Sequence, residues 1–187
     1  SLHTFVEWAL EGAEISLKDW DAVSLGKGPG SYTGLRIGAA SAKGFCYVLK
    51  IPLIAVNSLE TMIEPFLSQN YDFIIPLIDA RRMEVYCAVF DGNSGEIISE
   101  TEAKILDENS FQEFAAKKVL FVGDGANKAK EILSLPNAEF NENIYPSANY
   151  LIKKSVEKFK QKDFEDVAYF DPFYLKDFQG VKKKKSQ

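Results

Sequence analysis

Gly28, Gly30, Ser31 and Thr33 fall in the run Gly26-Lys27-Gly28-Pro29-Gly30-Ser31-Tyr32-Thr33-Gly34-Leu35-Arg36-Ile37-Gly38, where an apolar stretch gives way to a helical pattern. Glycines and hydroxyls at such a junction suit a phosphate, whose oxygens accept hydrogen bonds from the unpaired amides at a helix start. Two standard phosphate loops are tested by counting. The dinucleotide fingerprint needs glycine at its first, third and sixth positions; from Gly28 the sixth is Thr33, and Gly34 comes one residue late. The P-loop needs Gly-Lys-Ser/Thr, whereas Lys43 is followed by Gly44. Pro29 also removes one amide from any nest. What remains at Gly28, Gly30, Ser31 and Thr33 is a candidate site for an anion or nucleotide, or else a tight turn that sets the angle of the next helix.

Other chemistry is sparse. His3 is the one histidine, so Ser31 and Thr33 have no visible base and nucleophilic catalysis is not expected. A metallopeptidase site needs two histidines about one helical turn apart, so no metal ligand is assigned, and His3 reads as a surface or interface residue near a helix start. Asp79 and Glu84 bracket Arg81 and Arg82. Two acids beside two arginines read as a salt-bridged turn between strands, though an arginine pair is also suited to a partner or an RNA phosphate. Cys46 and Cys87 stand far apart and read as small buried hydrophobes. No catalytic residue is assigned.

The elements that would position these residues follow from periodicity. A helical face runs over 2–10, with Gly12 at its expected stop, and 22–25 is a short buried strand. A helix over 33–49 follows, capped by Ser31 or Thr33. Then come a strand at 52–56 and a helix at 59–67 capped by Asn57 or Ser58. From Tyr71 the pattern changes to strands at 73–78, 84–90 and 96–105, with a hairpin turn at 91–95. Beyond them lie a helix at 110–116, a strand at 119–122, a helix at 126–133, a weak strand at 138–140 and a helix at 147–160.

The second half thus reads βββαβαβα, and the first half reads αβαβα, the same series without its first three strands. Two such lobes side by side are the α/β, ribonuclease H-like architecture of the actin-like ATPase and sugar kinase superfamily. The division is drawn at residues 1–68 for an incomplete N-terminal lobe and 69–187 for a C-terminal lobe with a basic tail. Roughly 30 to 40 residues forming the absent strands are expected to precede Ser1.

With 187 residues and 46% apolar composition, the chain has enough material for two small lobes. A net charge of -5 and a pI near 5.1 argue against a whole-domain footprint for nucleic acid. Lys182, Lys183, Lys184 and Lys185 are the basic exception, read as a solvated terminus or a contact for RNA or an anionic surface. No apolar run approaches the ~18 residues of a membrane span and no leader pattern opens the chain, so a cytoplasmic protein with no membrane partner is expected.

Gly34, Gly38 and Gly44 each cost the helix about 1 kcal/mol relative to alanine. Gly34, Gly38 and Ala42, with Ser41 beside them, form a smooth strip at i, i+4 and i+8. Such a strip admits a second helix, from the same lobe or from another chain.

The run 28–38, with Ala42-Lys43-Gly44, Pro52-Leu53-Ile54 and Asn57-Ser58-Leu59-Glu60, resembles the bacterial TsaB family, also called YeaZ. Further matches are Pro76-Leu77-Ile78-Asp79-Ala80-Arg81-Arg82, Glu84-Val85-Tyr86, Gly123-Asp124-Gly125, and Pro172-Phe173-Tyr174-Leu175-Lys176-Asp177-Phe178. The family usually opens on strands carrying an Ile-Asp-Thr-Ser motif, which this chain lacks. The resemblance implies a scaffold or activator subunit, without activity of its own, in tRNA processing. The modification is N6-threonylcarbamoyladenosine at position 37 of tRNAs reading codons that begin with adenosine. The implied partners are the catalytic subunit TsaD, a relative once described as a glycoprotease; TsaE; tRNA indirectly; and a second copy of the chain where TsaD is absent. ATP and a metal ion are expected on those subunits and no cofactor on this one. On this resemblance Phe5, Trp8, Ala9, Gly34, Gly38, Ser41, Ala42 and Phe45 are expected to bind or border the partner. The alternative is an autonomous nucleotide-binding enzyme of the actin-like superfamily, or a glycoprotease-like peptidase.

Overall fold

The structure is a computed structural model and describes residues 2–176. The runs read as helix or strand form α1 (Leu2–Ala13), β1 (Val23–Gly28), α2 (Tyr32–Leu49), β2 (Leu53–Asn57), α3 (Ser58–Ile63), β3 (Phe73–Asp79), β4 (Glu84–Asp91), β5 (Ile97–Ile105), β6 (Val119–Val122), α4 (Ala126–Ile132), β7 (Ala138–Asn141) and α5 (Ala148–Gln161). Strands β3, β4 and β5 form an antiparallel meander, and β6 and β7 add in parallel on the other side of β3, in the order β5-β4-β3-β6-β7. The first half supplies a separate parallel pair, β1 and β2. No strand precedes β1 among the described residues.

Strand alternation places Val23 and Leu25 on one face of the pair and Ser24 on the other. On the first face Ala39, Ala42 and Cys46 of α2 meet Leu53, Ala55 and Phe170. On the second, α5 lies across both strands, and Ser24 and Ser155 share a 2.6 Å hydroxyl bond. Thus α5, which the division at residue 68 groups with the second lobe, covers the sheet of the first. Helix α3 crosses the other way: Leu59, Met62 and Ile63 pack on Ile74, Ala88 and Phe90 of the larger sheet.

Three local expectations change. Helix α1 runs through Gly12 and stops where Glu14 turns left-handed at φ 55°, with the Ile15 amide reaching back to Leu10 O. The helix expected at 59–67 ends at Ile63 and tightens into a 3-10 turn holding Pro65, which has no amide to donate. The helix expected at 110–116 is only a 3-10 turn, Gln112–Phe114. Asp107 and Ser110 close a side-chain turn there, and Phe111 adopts φ 62° and lies buried with its ring against Phe121.

Candidate functional site

Two surfaces collect the residues singled out in the sequence. The first is the outer side of α1 and α2. Helix α1 buries none of its residues, and Phe5 and Trp8 are 61% and 60% exposed with their rings edge to face at 5.5 Å. On α2, Ile37, Tyr47 and Val48 are exposed, the last two at 81% and 75%. Phe45 is half-buried; its ring lies against His3 at 5.6 Å and against Trp20 at 5.3 Å, which ties α1 to α2. His3 is exposed at the start of α1.

The small-residue strip does not stay on this surface. Gly34 is exposed, Gly38 and Ser41 are half-buried, and Ala42 is 5% exposed, packed on the chain's own β strands. A row at i, i+4 and i+8 slants around a helix of 3.6 residues per turn, so its third member has rotated into the core. Ala42, expected to face a partner, is therefore a core residue, whereas Ala9 is exposed.

The second surface is a cleft of about 650 Å³ between the start of α2, the β3–β4 turn and residues 173–176. Gly30, Ser31 and Thr33 line it, and Ser31 Oγ accepts the Gly34 amide as the cap of α2. Gly28 does not belong to it. Gly28 is buried, its amide donates to Ser58 Oγ at 3.2 Å, and at φ 110° an added Cβ would stand 2.6 Å from the Phe173 carbonyl oxygen. The place where a phosphate loop would expose its backbone is filled by the C-terminal segment, whose Phe173 amide donates to Lys27 O at 2.7 Å.

The acids of the cleft are paired, but not with the arginines. Asp79 holds Lys128 at 2.6 Å and accepts the Arg81 amide, while its own amide donates to Asp124. Burial pushes the Asp79 carboxyl up, yet the Lys128 bond, the Arg81 amide and the two nearby positive charges together hold it below the usual carboxylate range. Glu84 pairs with Lys176. Arg81 and Arg82, both left-handed at φ 71° and 54°, are exposed and form no ion pair among the described residues. Across the cleft the Tyr32 and Tyr174 rings lie 4.8 Å apart, with the Arg36 guanidinium over Tyr32.

No group of three histidine, cysteine or acidic side chains is arranged to hold a metal ion among the described residues. Nor is any described helix long and apolar enough to cross a membrane. Lys182–Lys185 lie outside the described residues, as do Asp177 and Phe178.

The segment 165–176 carries a role that the sequence did not disclose. Phe170 fills the α2 side of the small sheet, and Lys43 donates from mid-α2 to the carbonyls of Ala168 and Phe170 at 3.1 and 3.0 Å. A lysine set among the small residues of 38–44 was the available signal.

A family model described as "TsaD: tRNA N6-adenosine threonylcarbamoyltransferase" matches residues 1–177. The tRNA threonylcarbamoyladenosine biosynthesis protein TsaB of Bacillus subtilis is 30% identical over 175 residues, covering 89% of this chain and 74% of that one. Its Escherichia coli counterpart is 30% identical over 179 residues, with 90% and 76% covered. The solved structure of YeaZ from Pseudomonas aeruginosa superposes with a TM-score of 0.78 at 25% identity, over 93% of this chain and 82% of that one. The meander-plus-parallel sheet, the second parallel sheet and the intervening helices are thus an actin-like α/β fold, and with these relatives at these coverages the chain belongs to the TsaB (YeaZ) family.

Proposed function

We propose that this chain is a non-catalytic subunit in the formation of threonylcarbamoyladenosine on tRNA, acting in the cytoplasm by presenting the outer side of α1 and α2 to the catalytic subunit TsaD. What carries the reading is one observation: α1 has a strongly apolar composition yet buries no residue and leaves Phe5 and Trp8 in the open, while α2, tied to it through His3 and Phe45, exposes Tyr47 and Val48. Exposed apolar side chains clustered in this way mark interaction sites, and aromatic anchors tend to dominate their energetics. The name its relatives carry, tRNA threonylcarbamoyladenosine biosynthesis protein, suggests the reaction. In this reading ATP, the metal ion and TsaE belong to the partner assembly, a second copy takes TsaD's place when TsaD is absent, and this chain contributes shape.

Capture of purified TsaD by the full chain is the test. Gly38→Leu places a branched side chain where a Cβ meets nothing within 4 Å, so the helix accepts it while the surface changes. Trp8→Ala removes an anchor, for which a loss of about 2 kcal/mol, roughly thirtyfold in affinity, is expected. Both variants should keep the far-ultraviolet circular dichroism of the parent and lose capture, and modification of tRNA should appear only on mixing with TsaD. Unchanged capture by both variants would sink the assignment. Turnover of ATP or of a peptide by the isolated chain would replace it with the enzymatic alternative.

A further inference from the structure

The arginine pair of the β3–β4 turn lies outside the proposed partner surface and lines the cleft. Asp79 bonds Lys128 and Glu84 bonds Lys176, so the two carboxylates nearest Arg81 and Arg82 in sequence form no ion pair with them, although the Arg81 charge acts on Asp79 through space. Both arginines sit at left-handed backbone angles, a conformation disfavoured for residues with a Cβ, and both are exposed residues that line the cleft. On the opposite wall stands the Tyr32–Tyr174 ring pair, with a third guanidinium, Arg36, over its edge. Guanidinium forks match phosphate oxygens, and aromatic faces stack unpaired bases; the two together make a groove for single-stranded nucleic acid. The overall charge of -5 argues against a footprint spread over the whole chain, so such a contact must rest on local cationic groups like these.

We infer that the cleft holds a single-stranded RNA segment, with Arg81 and Arg82 on backbone phosphates and the Tyr174 ring against a base. The inference rests on the function proposed above only for the identity of the RNA, a tRNA loop. It makes this chain a direct contributor to RNA binding as well as a scaffold. A free nucleotide shares the same chemistry but adds a single phosphate group and no strand. An acidic peptide shares only the charge.

The experiment is fluorescence anisotropy of the full chain with a labelled tRNA transcript and a labelled single-stranded oligoribonucleotide, across a salt series. The chosen variant is the double substitution Arg81→Asn, Arg82→Asn, because asparagine tolerates the left-handed backbone. It should weaken RNA binding at least tenfold and flatten the slope of log K against log salt by about 1.4, two single-strand phosphate contacts. Tyr174→Leu should weaken binding about tenfold and leave that slope unchanged. Arg81→Lys with Arg82→Lys should restore the slope.

No RNA binding by the parent chain, or parent-like affinity and slope in the asparagine variant, would overturn the inference. So would full competition by a mononucleotide or by polyglutamate at concentrations where unlabelled oligoribonucleotide competes weakly. The asparagine variant should capture TsaD normally, whereas Trp8→Ala should bind RNA normally, so failure of one reading is distinguishable from failure of the other.

Discussion

Gly28 and Gly38 belong to the same glycine-rich run and do opposite things. Gly28 sits at φ 110° with the Phe173 carbonyl where a Cβ would go, so Gly28→Ala should destabilise the chain by about 1–3 kcal/mol. Gly38 lies in a helix with open space around it, and Gly38→Ala should stabilise by up to about 1 kcal/mol. Urea denaturation midpoints of the two variants test the pair, and shifts of the same sign would contradict it. The thiols are a second case. Burial first, then the charge of Glu102, pushes the Cys87 thiol up to about 12, and burial raises Cys46 as well. Both cysteines are free and buried, so neither should react with a thiol reagent near pH 8 until the chain is unfolded, when both should. The reading of both as small buried hydrophobes was available from their spacing. The burial of Gly28 was not, since its cause lies in Phe173, far along the chain.

Helix α2 joins the small sheet to the outer surface, and its inner side is held by a segment remote in sequence. Lys43 donates to the carbonyls of Ala168 and Phe170, and Phe170 packs between Ala39, Ala42 and Cys46. Lys43→Met keeps much of the packing volume and removes both charged bonds, so a loss of about 1.5–3 kcal/mol is expected. Amide hydrogen exchange should quicken over residues 165–173 before it quickens in β3, β4 or β6. Protection that falls evenly through the chain would show that the segment is not an independent clasp. The start of α2 was legible from Ser31, and its end from Pro52 and the loss of periodicity. The division of its faces was only partly so, because the i+4 strip drifts around the helix and carries Ala42 inward while Gly34 stays out.

Across the whole molecule, the two sheets are joined by α3, which α5 backs from the small sheet, and by the strap from Phe170 to Lys176, which ends on Glu84 of the larger sheet. Near that end Lys128 and Asp79 tie α4 to the β3–β4 turn. The Asp79 carboxyl is held below its ordinary 3.8 despite a burial effect that opposes this. A carboxyl depressed in the folded state stabilises the fold above its unfolded pKa and loses that contribution as pH falls through the folded value. Lys128→Met removes the main opposing interaction, so Asp79 should titrate higher and the acid limb of the stability profile should move to higher pH. Urea unfolding at steps between about pH 2.5 and 5.5 checks this, and an unmoved acid limb would contradict it.

Periodicity made the order and type of nearly every element legible in the sequence, and with them the actin-like class, because side-chain alternation at 2 and 3.6 residues is local. It also showed how little chemistry the chain holds: one histidine and no P-loop. The partners of individual side chains were out of its reach. Asp79 was read as bonded to the adjacent arginines, yet it pairs with Lys128, 49 residues away, while both arginines take left-handed backbone angles and stay exposed. The filled space at Gly28 has the same origin. Contacts between distant segments are set by how whole layers pack, and here that packing set the Phe173 carbonyl against Gly28 and left Gly30, Ser31 and Thr33 on a cleft beside it.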